Sequence, residues 1–128
     1  MTATNVPTRA YRASQYCAGG IAFRIGRHCP DLDRLLAALG TRTAVLLTSC
    51  NPRSVLRPPS ANARRMAALR RLVRRWRSVP GKSGARQWRE AQILLPGPLA
   101  LGLRLAQRFR QNAILLLNRG ARPRLVLL

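Results

Sequence analysis

Thr43-Ala44-Val45-Leu46-Leu47-Thr48-Ser49 is apolar at successive positions rather than at alternate ones. Side chains on a strand point to opposite faces in turn. A strand built from this stretch therefore has two apolar faces and needs cover on both, as a central strand does. It runs into Cys50-Asn51-Pro52, a turn signal.

Reading outward from this strand gives alternating elements. Upstream, Ile21 to Ile25 reads as a strand ending at Gly26. Pro30-Asp31 opens a helix through Leu39, with Leu32, Leu35, Leu36 and Leu39 on one stripe. Asp31 and Asp33 suit its positive N-terminus, and Gly40 closes it. Between Thr8 and Tyr16, helix and strand signals conflict.

Downstream, Pro58-Pro59 marks a loop, and Ser60 is placed to cap a helix over 61–77. Met66, Leu69, Leu72, Val73 and Trp76 form its apolar stripe, and seven arginines cover much of the remainder. Pro80-Gly81-Lys82-Ser83-Gly84 reads as a flexible loop. Gln87 to Leu95 reads as a strand, Pro98 starts a helix to Arg110, and Ala113 to Leu117 and Arg124 to Leu128 read as a hairpin turning at Gly120. This alternation predicts a single α/β domain: a mixed sheet of about five strands covered by about three helices, in the order β-α-β-α-β-α-β-β. Residues 1–10 read as a flexible arm and 11–128 as the domain, a size that suits one core.

The chain carries 24 Lys and Arg against 3 Asp and Glu, a net charge of +21. A GC-rich genome favours arginine over lysine, but that exchange leaves the charge unchanged and does not explain the missing acids. Candidate partners are therefore nucleic acid or an anionic small molecule. Cys17, Cys29 and Cys50 are widely spaced and His28 is the single histidine, so neither a metal site nor a cofactor is expected. Unpaired cysteines and the lack of an apolar signal core in Met1–Pro7 predict a cytoplasmic location. The longest apolar stretch, Ile93 to Leu103, is broken by Pro96-Gly97-Pro98 and is too short to span a bilayer. Gly81-Lys82-Ser83 ends like a phosphate-binding loop, but the required first glycine is replaced by Trp76.

Glu90 is the only acid after Asp33. On a strand it shares a face with Trp88. Its favoured role is an ion pair with one of the many arginines, because an unpaired buried charge is costly. The rival role is a ligand contact or a general base. Asn51 follows the central strand, where it either forms a turn with Pro52 or faces a cleft with its donor and acceptor. Asn62 either caps its helix or faces the same cleft. The Gln111 and Asn112 amides are placed either to read a polar ligand or, for Asn112, to cap the preceding helix. Cys50 with His28 as nucleophile and base has no support in their spacing.

Ile25-Gly26, Thr48-Ser49-Cys50-Asn51-Pro52, Asn62, Trp88-Arg89-Glu90 and Phe109-Arg110-Gln111-Asn112-Ala113 together resemble a bacterial family known only as domain of unknown function 3293. The resemblance runs from about Tyr11 to the C-terminus. The family pattern has Thr-Ala-x-Asn-Pro and Phe-Gly-Gln, so Ser49 and Arg110 replace small residues here. The resemblance implies no activity. It does imply that Asn51, Asn62, Glu90 and Gln111 belong to one signature. The expected function is binding of a small polar or nucleotide-like ligand in a cleft lined by these four. The alternative is a non-enzymatic nucleic-acid-binding module using Arg64, Arg65, Arg71, Arg74 and Arg75 on the arginine helix. Aromatic residues are only 5% of the chain, which offers single strands no obvious stacking platform.

Overall fold

The computed structural model describes residues 8–85 and 88–128. In chain order the elements are α1 (Thr8–Ala13), β1 (Gln15–Ala18), β2 (Ile21–Phe23), α2 (Pro30–Ala38), β3 (Thr43–Leu47), α3 (Pro59–Leu72), β4 (Val79–Ala85), β5 (Trp88–Pro96), α4 (Leu99–Arg108), β6 (Ala113–Asn118) and β7 (Arg124–Leu127). A 3-10 turn, Pro52–Ser54, lies between β3 and α3.

The seven strands form one sheet in the order β2-β1-β4-β5-β3-β6-β7, and every neighbouring pair is antiparallel. The sheet curls into a half-barrel. This overturns the expected mixed sheet of five strands under three helices. The alternation of strands and helices had suggested parallel neighbours. Here α3 links β3 to β4 across β5, and α4 links β5 to β6 across β3. Each linked pair runs parallel, but an antiparallel strand is inserted between its members. The core β3-α3-β4-β5-α4-β6 is thus a ferredoxin-like split β-α-β arrangement. β1 and β2 extend it at one edge and β7 at the other.

The two added strands have identifiable causes. Residues 80–84, expected as a loop, fall within β4. Gly81 pairs with Ala18, and a Cβ on it would lie 2.5 Å from the Cys17 carbonyl oxygen, so glycine allows β1 to approach. Pro80 accepts the Gly19 N–H at 3.3 Å on the β1 side. Its missing N–H falls on that side too, and costs β5 no hydrogen bond. The ambiguous residues after Thr8 divide into α1 and then β1. Residues 1–7 of the expected arm, and Gln87 as the expected start of β5, lie outside the described residues.

β3 is central and covered on both faces, as its composition requires. Val45 and Leu47 pack with Met66, Leu69 and Val73 of the α3 region and with Ala106 of α4. Ala44 and Leu46 face the other way, toward Leu32 and Leu36 of α2, Tyr16 and Phe23. Each fully buried Leu contributes roughly 2 kcal/mol. Gly102 brings α4 onto β3, since a Cβ there would lie 2.8–3.0 Å from Val45 side-chain atoms. α3 stops at Leu72, short of the expected Arg77, and the chain turns after Val73. Leu72 and Trp76, expected on the buried stripe, are exposed. Pro58, not Ser60, precedes the helix at its N-terminus.

Candidate functional site

α3 and α4 pack on one face of the sheet. On the opposite face, beyond α2, lies a cavity of about 260 Å³. Strand register sets its floor. Tyr16 pairs with Ser83, and Ser83 pairs with Glu90, so the three lie in one row across β1, β4 and β5. Gln92, two residues on from Glu90, shares its face. Leu46, Leu115 and Leu125 form a second, apolar row. Ala10 and Tyr11 of α1 form the roof, and Asn51, Ser54 and Gln111 one wall.

Glu90 is partly buried where this floor meets the wall and is held by amides rather than by arginine. Asn51 Nδ2 donates to Oε2 at 2.9 Å, and Gln92 Nε2 donates to Oε1 at 3.2 Å and to Ser83 Oγ at 2.8 Å. Among the described residues, the other two acids have basic partners: Asp31 has Arg34, and Asp33 has His28 at 2.5 Å. The expected arginine pair of Glu90 is therefore replaced by an amide cradle. Burial raises the carboxyl above its ordinary range, against the lowering effect of the Asn51 amide.

Asn51 is the hinge of this cradle. Its backbone is left-handed, φ 47° and ψ 61°, a conformation asparagine tolerates better than most residues. Arg53 and Ser54 also have positive φ, at 56° and 61°. Asn51 Oδ1 accepts the Arg57 N–H at 2.8 Å and Asn62 Nδ2 at 2.9 Å. Asn62 Oδ1 in turn accepts the Asn51 N–H at 2.9 Å. Asn62 thus neither caps α3 nor lines the cavity; it fixes Asn51, which fixes Glu90. Thr48 Oγ1 ties the same loop to β5 by donating to the Ala91 carbonyl at 2.6 Å.

Gln111 lines the cavity, and its Nε2 donates to the Cys50 carbonyl at 3.0 Å and the Phe109 carbonyl at 3.2 Å. It joins the loop after β3 to the end of α4. Asn112 donates to Ser54 Oγ at 2.9 Å rather than capping α4. Arg110 has φ 56°, a left-handed backbone at the position where the resembled pattern has glycine. Its carbonyl accepts the Arg53 N–H at 2.6 Å, so two strained turns are pinned to each other.

Asn51, Glu90 and Gln111 therefore meet at one cavity, with Asn62 directly behind. Spacing alone did not reveal Gln92, Ser83 or the roof residue Tyr11. Gln92 had a signal: with Glu90 it makes a polar pair on a strand face that continues into Leu94. Trp88, expected beside Glu90, has its side chain outside the described residues. Cys50 is buried with its thiol pushed up by burial, and His28 lies at a separate surface depression, so no dyad forms. Among the described residues, no group of three or more His, Cys, Asp or Glu is placed to hold a metal. No described helix is long and apolar enough to cross a membrane.

The cavity wall differs in charge from the whole molecule. Among the described residues that line it, Glu90 carries the single formal charge, and neither Lys nor Arg is present. A site of this kind disfavours phosphate and favours hydrogen-bond donors.

A family model described as "Protein of unknown function (DUF3293)" matches residues 47–114. The match runs from the end of β3 into β6 and takes in Asn51, Asn62, Glu90 and Gln111. It is narrower than the span of the resemblance read from the sequence. No curated protein and no solved structure matches the chain.

Proposed function

We propose, for a chain that belongs to the DUF3293 family of unknown function, that the cavity under α1 binds a small polar ligand presenting a hydrogen-bond donor, such as a protonated amine or an amidine, to Glu90. The observation that carries this reading is a partly buried carboxylate with two amide donors and no described cationic partner, at the wall of an open cavity. Each carboxylate oxygen keeps acceptor capacity after its one amide bond. The apolar row of Leu46, Leu115 and Leu125 would take the body of the ligand. An anionic ligand fits less well, because nothing basic among the described lining residues would offset its charge against Glu90.

Glu90 meets the donor in its ionised form, so binding of a cation strengthens as pH rises through its raised pKa. The same raised pKa suits it to accept a proton from the bound group. The test is calorimetry with a panel of small primary amines, amidines and nucleosides against the wild type and Glu90→Gln. The reading expects a ligand whose affinity falls at least about tenfold in Glu90→Gln, the loss of one charge-assisted bond. Ligands that bind both proteins equally, at every pH, would refute it.

A further inference from the structure

On the opposite side of the sheet, α3 and α4 leave a second concavity of about 320 Å³. Leu72, Trp76, Leu101 and Leu105 form its apolar walls, with Arg104 and Arg108 beside them. Trp76 is 42% exposed and Leu72 40%, a high exposure for two of the most core-seeking side chains. The cause is local: α3 ends at Leu72, and the following turn carries Trp76 away from the buried stripe.

The surrounding charge is of one sign. Arg104 and Arg108 are four residues apart and so share a face of α4, about 6 Å apart along the axis. Arg70, Arg71, Arg74, Arg75 and Arg77 are exposed on and after the last turn of α3. None of these guanidiniums has a carboxylate partner among the described ion pairs, which are confined to α2 and the residues just before it. An occupant must therefore bring both negative charge and a surface that an indole will stack on.

We propose that this groove binds a single-stranded segment of nucleic acid, with a base stacked on Trp76 and neighbouring phosphates on Arg104 and Arg108. A single strand supplies an anionic group and a flat aromatic face at every residue. A guanidinium binds phosphate in two-pronged fashion, and arginine beside an aromatic ring is a common setting for a stacked base. A duplex hides its base faces and would use the arginines alone. The groove lies on the other face of the sheet from the Glu90 cavity, so the two proposals stand or fall separately.

The test is anisotropy of a labelled oligothymidylate over a salt series, with heparin as a polyanion that has no bases. Trp76→Ala should weaken oligothymidylate binding about tenfold, the effect of removing one base stack, and leave heparin binding unchanged. Trp76→Phe should keep most of the affinity. Arg104→Gln with Arg108→Gln should lower the slope of log K against log salt by about 0.7 for each phosphate no longer neutralised. Trp76→Leu carries the same expectation as Trp76→Ala should the alanine variant fail to fold. Equal losses for heparin and oligothymidylate, or no loss for either, would overturn the proposal. So would polyglutamate that binds as tightly and depends on Trp76 as strongly, because the partner would then be an acidic polypeptide.

Discussion

Replacing Asn51 separates two of the roles that the structure gives it, because alanine and glycine alike also lose the Oδ1 bonds to Arg57 and Asn62. The first is conformational. At φ 47° the left-handed backbone costs an alanine about 1–2 kcal/mol and a glycine almost nothing. The second is the bond to Glu90. Deleting a donor to an ionised acceptor costs about 1.5–3 kcal/mol. These two causes sum to about 2.5–5 kcal/mol for Asn51→Ala, and the lost Oδ1 bonds add to it, against the roughly 5–15 kcal/mol that typical domains have. Asn51→Gly should recover about 1 kcal/mol of this despite the greater freedom of glycine in the unfolded chain. In a Glu90→Gln background the bond is neutral and is worth about 1 kcal/mol less, so Asn51→Ala should cost correspondingly less there. Urea denaturation of the single and double variants measures all these differences. Asn51→Gly no more stable than Asn51→Ala would refute the strain argument. An Asn51→Ala cost unchanged by Glu90→Gln would refute the bond as a source of stability.

Three further outcomes concern the Glu90 carboxyl, the Arg110 turn and the packing of α4. The folded pKa of Glu90 is raised, so the fold favours its protonated form. Wild-type stability should fall as pH rises from the ordinary carboxyl value of 4.5 through the raised value, and Glu90→Gln should remove that slope and gain stability at neutral pH, as urea midpoints across a pH series will show. Asp33 does not interfere. Burial pushes its carboxyl up, but the Gly120 N–H and His28 outweigh this and hold it below 3.8, so its contribution is lost only in more acidic solution. Arg110→Gly should raise stability by about 1 kcal/mol by relieving a positive φ, read as a Tm increase of a few degrees by calorimetry. Gly102→Ala should destabilise by about 1–3 kcal/mol although alanine favours helices, because the new methyl group would overlap Val45; a gain in denaturant midpoint would refute the close packing of α4 on β3.

The elements most legible in the sequence were those whose apolar content fixes their burial. β3 read as central because both its faces are apolar, and α2 because its leucines recur at helical spacing. β4 was not legible. Proline and two glycines in 79–85 normally mark a loop. Only the approach of β1, which the sequence does not display, gives Gly81 and Pro80 a place in a strand. The mixed-sheet reading failed for a related reason: a helix between two strands does not reveal that a third strand lies between them. At the site, the resemblance grouped Asn51, Glu90 and Gln111 with Asn62, and the first three line one cavity. The partner of Glu90 was not legible. Counting arginines favoured an ion pair, but the register that sets Gln92 and the Asn51 loop beside Glu90 is a property of the folded sheet. Asn62 was expected to cap or to line a cleft, and instead it holds the residue that does.

The Glu90 cavity is built from two portions of the chain with different standing. Thr48, Asn51, Ser83, Glu90, Gln92 and Gln111 fall inside the stretch matched by the family model, while Tyr11, Ser14, Tyr16 and Leu125 fall outside it. The polar group around Glu90 and the α1 roof thus come from different portions of the chain. Substitutions in α1 would reshape the roof, and in β7 the apolar row, while leaving the polar group around Glu90 whole. On the proposed reading, such changes would alter which ligand body is accepted and leave the contact to its donor group in place.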